Sequence, residues 1–155
     1  MAFFGTIYSY PGNFRVQRIL IVAASGPKAK IDEWSCYADH ELTANALPAS
    51  LMTTFKVWPF DVALYPDFAT NFERALGKLE VGLRARSGKF LVEEELTMAD
   101  VMVAGPLVLA GSILLNEEMR KVAPSVAGYL EELMEIPVVS EAFGELQLCQ
   151  TRATE

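Results

Sequence analysis

The chain has 155 residues, 52% of them hydrophobic and 21% charged, enough apolar material for one compact core without disulfide support. Its net charge of −7 excludes a general nucleic-acid or anionic-membrane partner, because such binding needs clustered lysine and arginine. Cys36 and Cys149 lie far apart, outside any CxxC or Cys/His spacing, which points to free thiols in a reducing compartment, with a single bridge as the alternative; with His40 the sole histidine, no metal site is expected.

Phe3 to Ser9 alternates bulky and small residues before Tyr10-Pro11-Gly12, which reads as a strand entering a turn. Phe14, Ile19, Leu20, Val22 and Ala23 then recur near helical spacing until Ser25-Gly26-Pro27. Lys28 to Trp34 alternates polar and apolar residues, the pattern of a second strand, so the opening reads as β-α-β with a right-handed crossover if the strands are parallel. From Leu47 onward only helices are expected. The first runs from Pro48 to Trp58, and the second from Asp67 to Arg86 with Phe68, Phe72, Ala75, Leu76, Leu79 and Leu83 on one stripe. Two more begin at the prolines, over 125–134 and 137–148, where the missing N–H costs nothing.

Between them, Thr97 and Asp100 stand three apart directly before the apolar run Val101 to Leu115, which is the spacing of a capping box. Leu96 and Val101 occupy the positions of a hydrophobic staple. The helix so started is apolar nearly all round, so it should lie at the centre of a helical domain, kinked or locally unwound near Pro106. That run is too short for a membrane span of about 20 residues. The N-terminus carries no charged-then-apolar leader pattern, and a soluble cytoplasmic protein is expected. The acidic runs Glu93-Glu94-Glu95 and Glu131-Glu132 fit solvated faces, with an acidic docking patch as the rarer alternative.

Three passages carry a resemblance. The stretch Gly5-Thr-Ile-Tyr-Ser-Tyr-Pro-Gly-Asn-Phe-Arg15, the Phe90-Leu-Val run with the Thr97–Asp100 box, and the ending Phe143-Gly-Glu-Leu-Gln-Leu-Cys149 look like the glutathione transferase superfamily. The first and last are similar to its branch in the gamma subunit of the translation elongation factor one complex. The resemblance implies a mainly α protein, a glutathione-transferase-like C-terminal helical bundle preceded by a truncated thioredoxin-like β-α-β unit. The expected division is residues 1–46 for the truncated segment and 47–155 for the all-α domain.

The truncation follows from length. A complete thioredoxin-like half needs two more strands and a helix after the second strand, roughly 25–35 residues. Only Ser35 to Ala46 is available. In the family the missing part grips glutathione, so no cofactor is expected. An exposed sheet edge and uncovered helix faces need covering, so a homodimer with its interface near the truncated half is expected.

By the same resemblance, the turn at Tyr8 supplies the hydroxyl that steadies a thiolate in transferases. Here Tyr8, Tyr10, Asn13 and Arg15, with Ser9 and Arg18 beside them, lie at a helix N-terminus, where free N–H groups favour developing negative charge. Such a set suits an enolate or carboxylate. It equally fits inward-packing aromatics, a capping Asn13 and surface-paired arginines. His40, between Asp39 and Glu41, is a candidate general base or a solvated loop histidine. Trp34, Tyr37, Trp58, Phe60 and Tyr65 form an aromatic set for a ligand cavity or for ordinary packing.

Nucleotide-binding, phosphate-loop, nucleophile-elbow and zinc-protease motifs are absent. The function expected is binding of a hydrophobic small molecule and its glutathione-independent rearrangement by isomerisation, cyclisation or dehydration, a role that fits specialised metabolism by analogy. The alternative is a non-enzymatic module that docks an elongation-factor partner in translation. A residual glutathione transferase is the third.

Overall fold

Trp34, Tyr37, Ala38, Leu42, Ala46, Ala49 and Met52 recur at near-helical spacing, and all are buried. In the computed structural model, which describes residues 27–152, this stripe belongs to one long winding rather than to a strand and a loop. Helix α1 (Pro27–Tyr37) passes into a wider, π-helical segment (Ala38–Thr43) and on into α2 (Ala44–Thr53). The remaining helices are α3 (Tyr65–Ala85), α4 (Met98–Gly111), α5 (Glu117–Val122), α6 (Pro124–Met134) and α7 (Pro137–Phe143).

The second strand expected over Lys28 to Trp34 is therefore corrected to helix. Its seven-residue alternation is local, whereas the apolar stripe that decides the conformation runs on through Met52 and needs a helical period throughout. The first strand and the helix after it lie outside the described residues. Two ends also move. The helix expected from Pro48 starts upstream, leaving Pro48 inside α2, and it stops at Thr53 rather than Trp58. The last helix stops at Phe143, where Gly144 turns the chain with a φ of 78°.

Helix α4 is the centre. It packs against α1, the π-helical segment and α2 on one side and against α6 and α7 on the other. It winds on through Pro106 as a single helix, without the local unwinding expected there. Its core-facing stripe, Ala99, Val103, Ala104, Leu107 and Ala110, is fully enclosed, whereas the opposite stripe leaves Met98 and Val101 exposed, so its all-round apolar sequence is not matched by burial all round. Both halves of the capping box form: the Thr97 side chain accepts the Asp100 N–H, and the Asp100 carboxylate accepts the Thr97 N–H at 2.7 Å. The same carboxylate accepts the Leu91 N–H at 2.9 Å, which holds the Phe90-Leu91 turn against the core.

A second buried carboxylate joins α3 to α6. Glu80 accepts from the Ser125 hydroxyl at 2.8 Å and from the Val126 N–H at 3.0 Å, satisfying the open N-terminus of α6 from another helix. Beyond α7 the chain crosses the end of α4 as a strap. The Cys149 N–H donates to the Gly111 carbonyl at 2.8 Å, and Arg120 donates to the Leu115 and Cys149 carbonyls. None of the helices among the described residues is long and apolar enough to cross a membrane.

Candidate functional site

The connection from α2 to α3 folds around Asp61. Its carboxylate accepts the N–H groups of Ala63 and Leu64 at 2.8 and 3.1 Å, and its carbonyl accepts the Tyr65 N–H at 2.9 Å. Pro66 follows at the start of α3, where its fixed φ suits a first turn. This turn sets Phe60 against Tyr65, ring centres 5.0 Å apart and planes tilted by 42°.

Between the turn, the first two turns of α3 and the C-terminal strap lies a pocket of about 390 Å³, lined by Phe60, Val62, Tyr65, Pro66, Ala69, Thr70 and Arg152. That size is within the range of small-molecule sites, about 300–1,000 Å³. The walls are apolar apart from a phenol, a hydroxyl and a guanidinium.

Burial raises the pKa of the Tyr65 hydroxyl, and Cys149 adds to this while the Arg152 charge opposes it. Tyr65 is therefore a protonated donor at neutral pH. Its bond to the Ile113 carbonyl is long, 3.4 Å, so the hydroxyl is weakly committed. Arg152 is held by Glu73 at 3.0 Å and keeps about a third of its side chain exposed, 34%. A donor hydroxyl and a cation beside an apolar pocket can steady negative charge on a ligand oxygen.

Phe60 and Tyr65 are the expected ligand-binding residues that this pocket brings together. Trp58 stands next to them, on a second concavity that shares Phe60. Trp34 and Tyr37 go elsewhere. They meet edge to face, 5.6 Å between centres, and the Tyr37 hydroxyl donates to the Ala75 carbonyl at 2.6 Å. Burial, with Glu41 adding to it, pushes the Tyr37 pKa up to about 12.

His40 is exposed on the π-helical segment. Its Nδ1 lies 2.9 Å from the Cys36 carbonyl, away from the pocket and bound to backbone rather than to Asp39 or Glu41. Tyr8, Ser9, Tyr10, Asn13, Arg15 and Arg18 lie outside the described residues. Thr97 and Asp100 are structural, as their spacing implies. Arg152 and Thr70 were not among the expected residues. Arg152 lies past the last helix, where periodicity is silent, and Thr70 is one of several polar positions on α3.

Residues 62–132 match the family model of the glutathione S-transferase C-terminal domain. A glutathione S-transferase-like protein of Aspergillus aculeatus is 29% identical over 144 residues, covering 84% of this chain and 66% of that protein. The glutathione S-transferase-like protein LUC7 of a Fusarium species is 32% identical over 124 residues, covering 80% of this chain and 55% of that one. The chain thus spans between 55% and 66% of these two relatives. Elongation factor 1-gamma of Artemia salina is 29% identical over 126 residues, covering 79% of this chain and 28% of its own length. In structure, the GST-like domain of elongation factor 1-gamma from Saccharomyces cerevisiae superposes with a TM-score of 0.70 at 14% identity, covering 83% of this chain and 59% of that chain. At that identity the likeness shows the fold alone.

Proposed function

We propose that this chain, whose residues 62–132 match the glutathione S-transferase C-terminal domain and which is similar to glutathione S-transferase-like proteins, binds a hydrophobic small molecule and promotes its rearrangement without glutathione. The observation that carries this reading is the apolar pocket at Phe60, Tyr65 and Ala69, with the Tyr65 phenol and the Arg152 guanidinium at its wall. On a carbonyl substrate, isomerisation through an enolate, aldol-type cyclisation and β-elimination of water each place negative charge on an oxygen. A buried phenol donor and a fixed cation stabilise such charge without a cofactor.

Independence from glutathione is supported by chain length. The described bundle is already helical at Pro27, so at most residues 16–26 separate it from the stretch Gly5 to Arg15 that is similar to the opening of the elongation-factor branch. That is less room than the sequence reading allowed. A homodimer is part of the same proposal, supported by exposed apolar side chains outside the pocket lining, such as Met98 and Val101. Work in the cytoplasm and in specialised metabolism are parts of it too, carried by the sequence reading.

The second reading is a docking module for an elongation-factor partner, favoured by the likeness to elongation factor 1-gamma in sequence and fold. Thermal melting of the protein against a panel of apolar carbonyl compounds, with and without glutathione, separates the two. Stabilisation by a panel member that glutathione does not enhance supports the enzyme reading. No stabilisation by any compound, together with stoichiometric recovery of an elongation-factor subunit from lysate, overturns it.

A further inference from the structure

Two concavities meet at Phe60. One is the pocket just described. The other, about 430 Å³, is lined by Met52, Lys56, Val57, Trp58, Pro59 and Phe60. Among the described residues each holds one charged side chain, and in each it is a cation: Arg152 in the first and Lys56 in the second.

This is notable in a chain with 20 acidic residues and 13 basic ones, because among the described residues no carboxylate lines either hollow. Asp61 follows Phe60 directly, yet its carboxylate is turned into the loop and taken by two backbone N–H groups. Glu73 reaches Arg152 without joining the lining. Lys56 stands in the left-handed backbone region, φ 50°, which a lysine rarely adopts and which persists where the surroundings fix it. Val57, Trp58 and Val62 leave apolar surface exposed around both hollows.

Apolar walls whose lining charges are both cations favour an anionic over a cationic head group at contact range. We propose that the ligand is an elongated anionic amphiphile, a monocarboxylate whose apolar body crosses Phe60 from one hollow into the other and whose carboxylate meets Arg152. This names the substrate class for the site in the proposed function and rests on that reading. Arg152 is the carboxylate's partner because its planar fork can bind both oxygens, and its partial burial orients it. Lys56, at the other end, adds attraction at longer range.

Calorimetric titration of the full chain with decanoate, 1-decanol, decylammonium and hexanoate tests this. Decanoate is expected to bind about tenfold tighter than 1-decanol, the gain of one partly exposed charge-assisted contact, with decylammonium the weakest. Arg152→Gln should bring decanoate to the level of 1-decanol and leave 1-decanol unchanged. Trp58→Ala, at a half-exposed position, should weaken decanoate severalfold and spare hexanoate, which is too short to cross Phe60. Equal binding of decanoate and 1-decanol, or a decanoate affinity indifferent to both substitutions, overturns this assignment while the apolar pocket stands. Failure of all four probes to bind overturns the assignment and removes the pocket's support for the proposed function as well.

Discussion

Tyr129 donates its hydroxyl to the Asp100 carboxylate, which joins α6 to the N-terminus of α4 in the middle of the bundle. Burial, and after it the neighbouring carboxylate, push the Tyr129 pKa well above the ordinary tyrosine value, so the hydroxyl remains a donor at any ordinary pH. Asp100 is fully enclosed and also accepts from Leu91 and Thr97. Removing it leaves several buried donors without a partner.

Asp100→Ala is accordingly expected to destabilise the protein by about 3–5 kcal/mol, and Tyr129→Phe by about 1–2 kcal/mol. Chemical denaturation of the two variants checks the order. Equal losses would mean that the carboxylate serves Tyr129 alone.

Glu80 gives a pH dependence. Burial acts to raise its pKa, but the hydrogen bonds from Ser125 and the Val126 N–H, and the Arg84 guanidinium, outweigh it and lower the value. A carboxylate whose folded pKa lies below its unfolded one stabilises fully above the unfolded value and loses that contribution as pH falls through the folded value. The stability gap between the natural protein and Glu80→Gln is expected to be about 2 kcal/mol at neutral pH and to shrink on acidification. Melting curves at a series of pH values measure it. A gap that widens as the pH falls would contradict the assignment.

Gly82 and Gly111 are needed for close approach. A Cβ at Gly82 would overlap the Trp34 ring, and one at Gly111 would lie 2.5 Å from the Gln147 carbonyl oxygen. Gly82→Ala and Gly111→Ala should each cost about 1–3 kcal/mol of stability by overpacking. Only Gly111→Ala should also weaken ligand binding, because it displaces the strap that carries Arg152. Calorimetry on both variants tests the difference, and equal loss of affinity would count against the strap's role.

Arg120 pins the same strap through the Cys149 carbonyl at 2.8 Å, although it lines no part of the pocket. Arg120→Met is expected to reduce affinity for decanoate severalfold and to increase protease cleavage after Gly144. An unchanged affinity with faster cleavage would show that the strap does not position Arg152.

What could be read from the sequence followed the range of each signal. The capping box was legible because it is a short, self-contained spacing, and the stripe Phe72, Leu76, Leu79 and Leu83 because it is strictly periodic. The winding from Pro27 to Thr53 was not, because the local alternation over Lys28 to Trp34 mimics a strand and its helical stripe shows only when followed on through Met52. Helix α5 was missed too, although Asn116 caps it by accepting the Met119 N–H at 3.1 Å. Six residues are too few for a period to show. Of the pocket, the aromatic side of Phe60 and Tyr65 was visible from composition. Arg152 comes to it only through the strap's tertiary course, which no local pattern encodes.

The most direct measurement of the central claim is a backbone amide correlation spectrum of the full chain titrated with 1-decanol, a neutral probe that needs no charged contact. The amides of Phe60, Val62, Tyr65, Ala69 and Thr70 should move together and saturate. Shifts confined to a separate concavity, the one lined by Tyr37, Glu41, Arg74, Ala75 and Lys78, or the absence of any saturable shift, would contradict the claim that this chain takes an apolar ligand between its second and third helices.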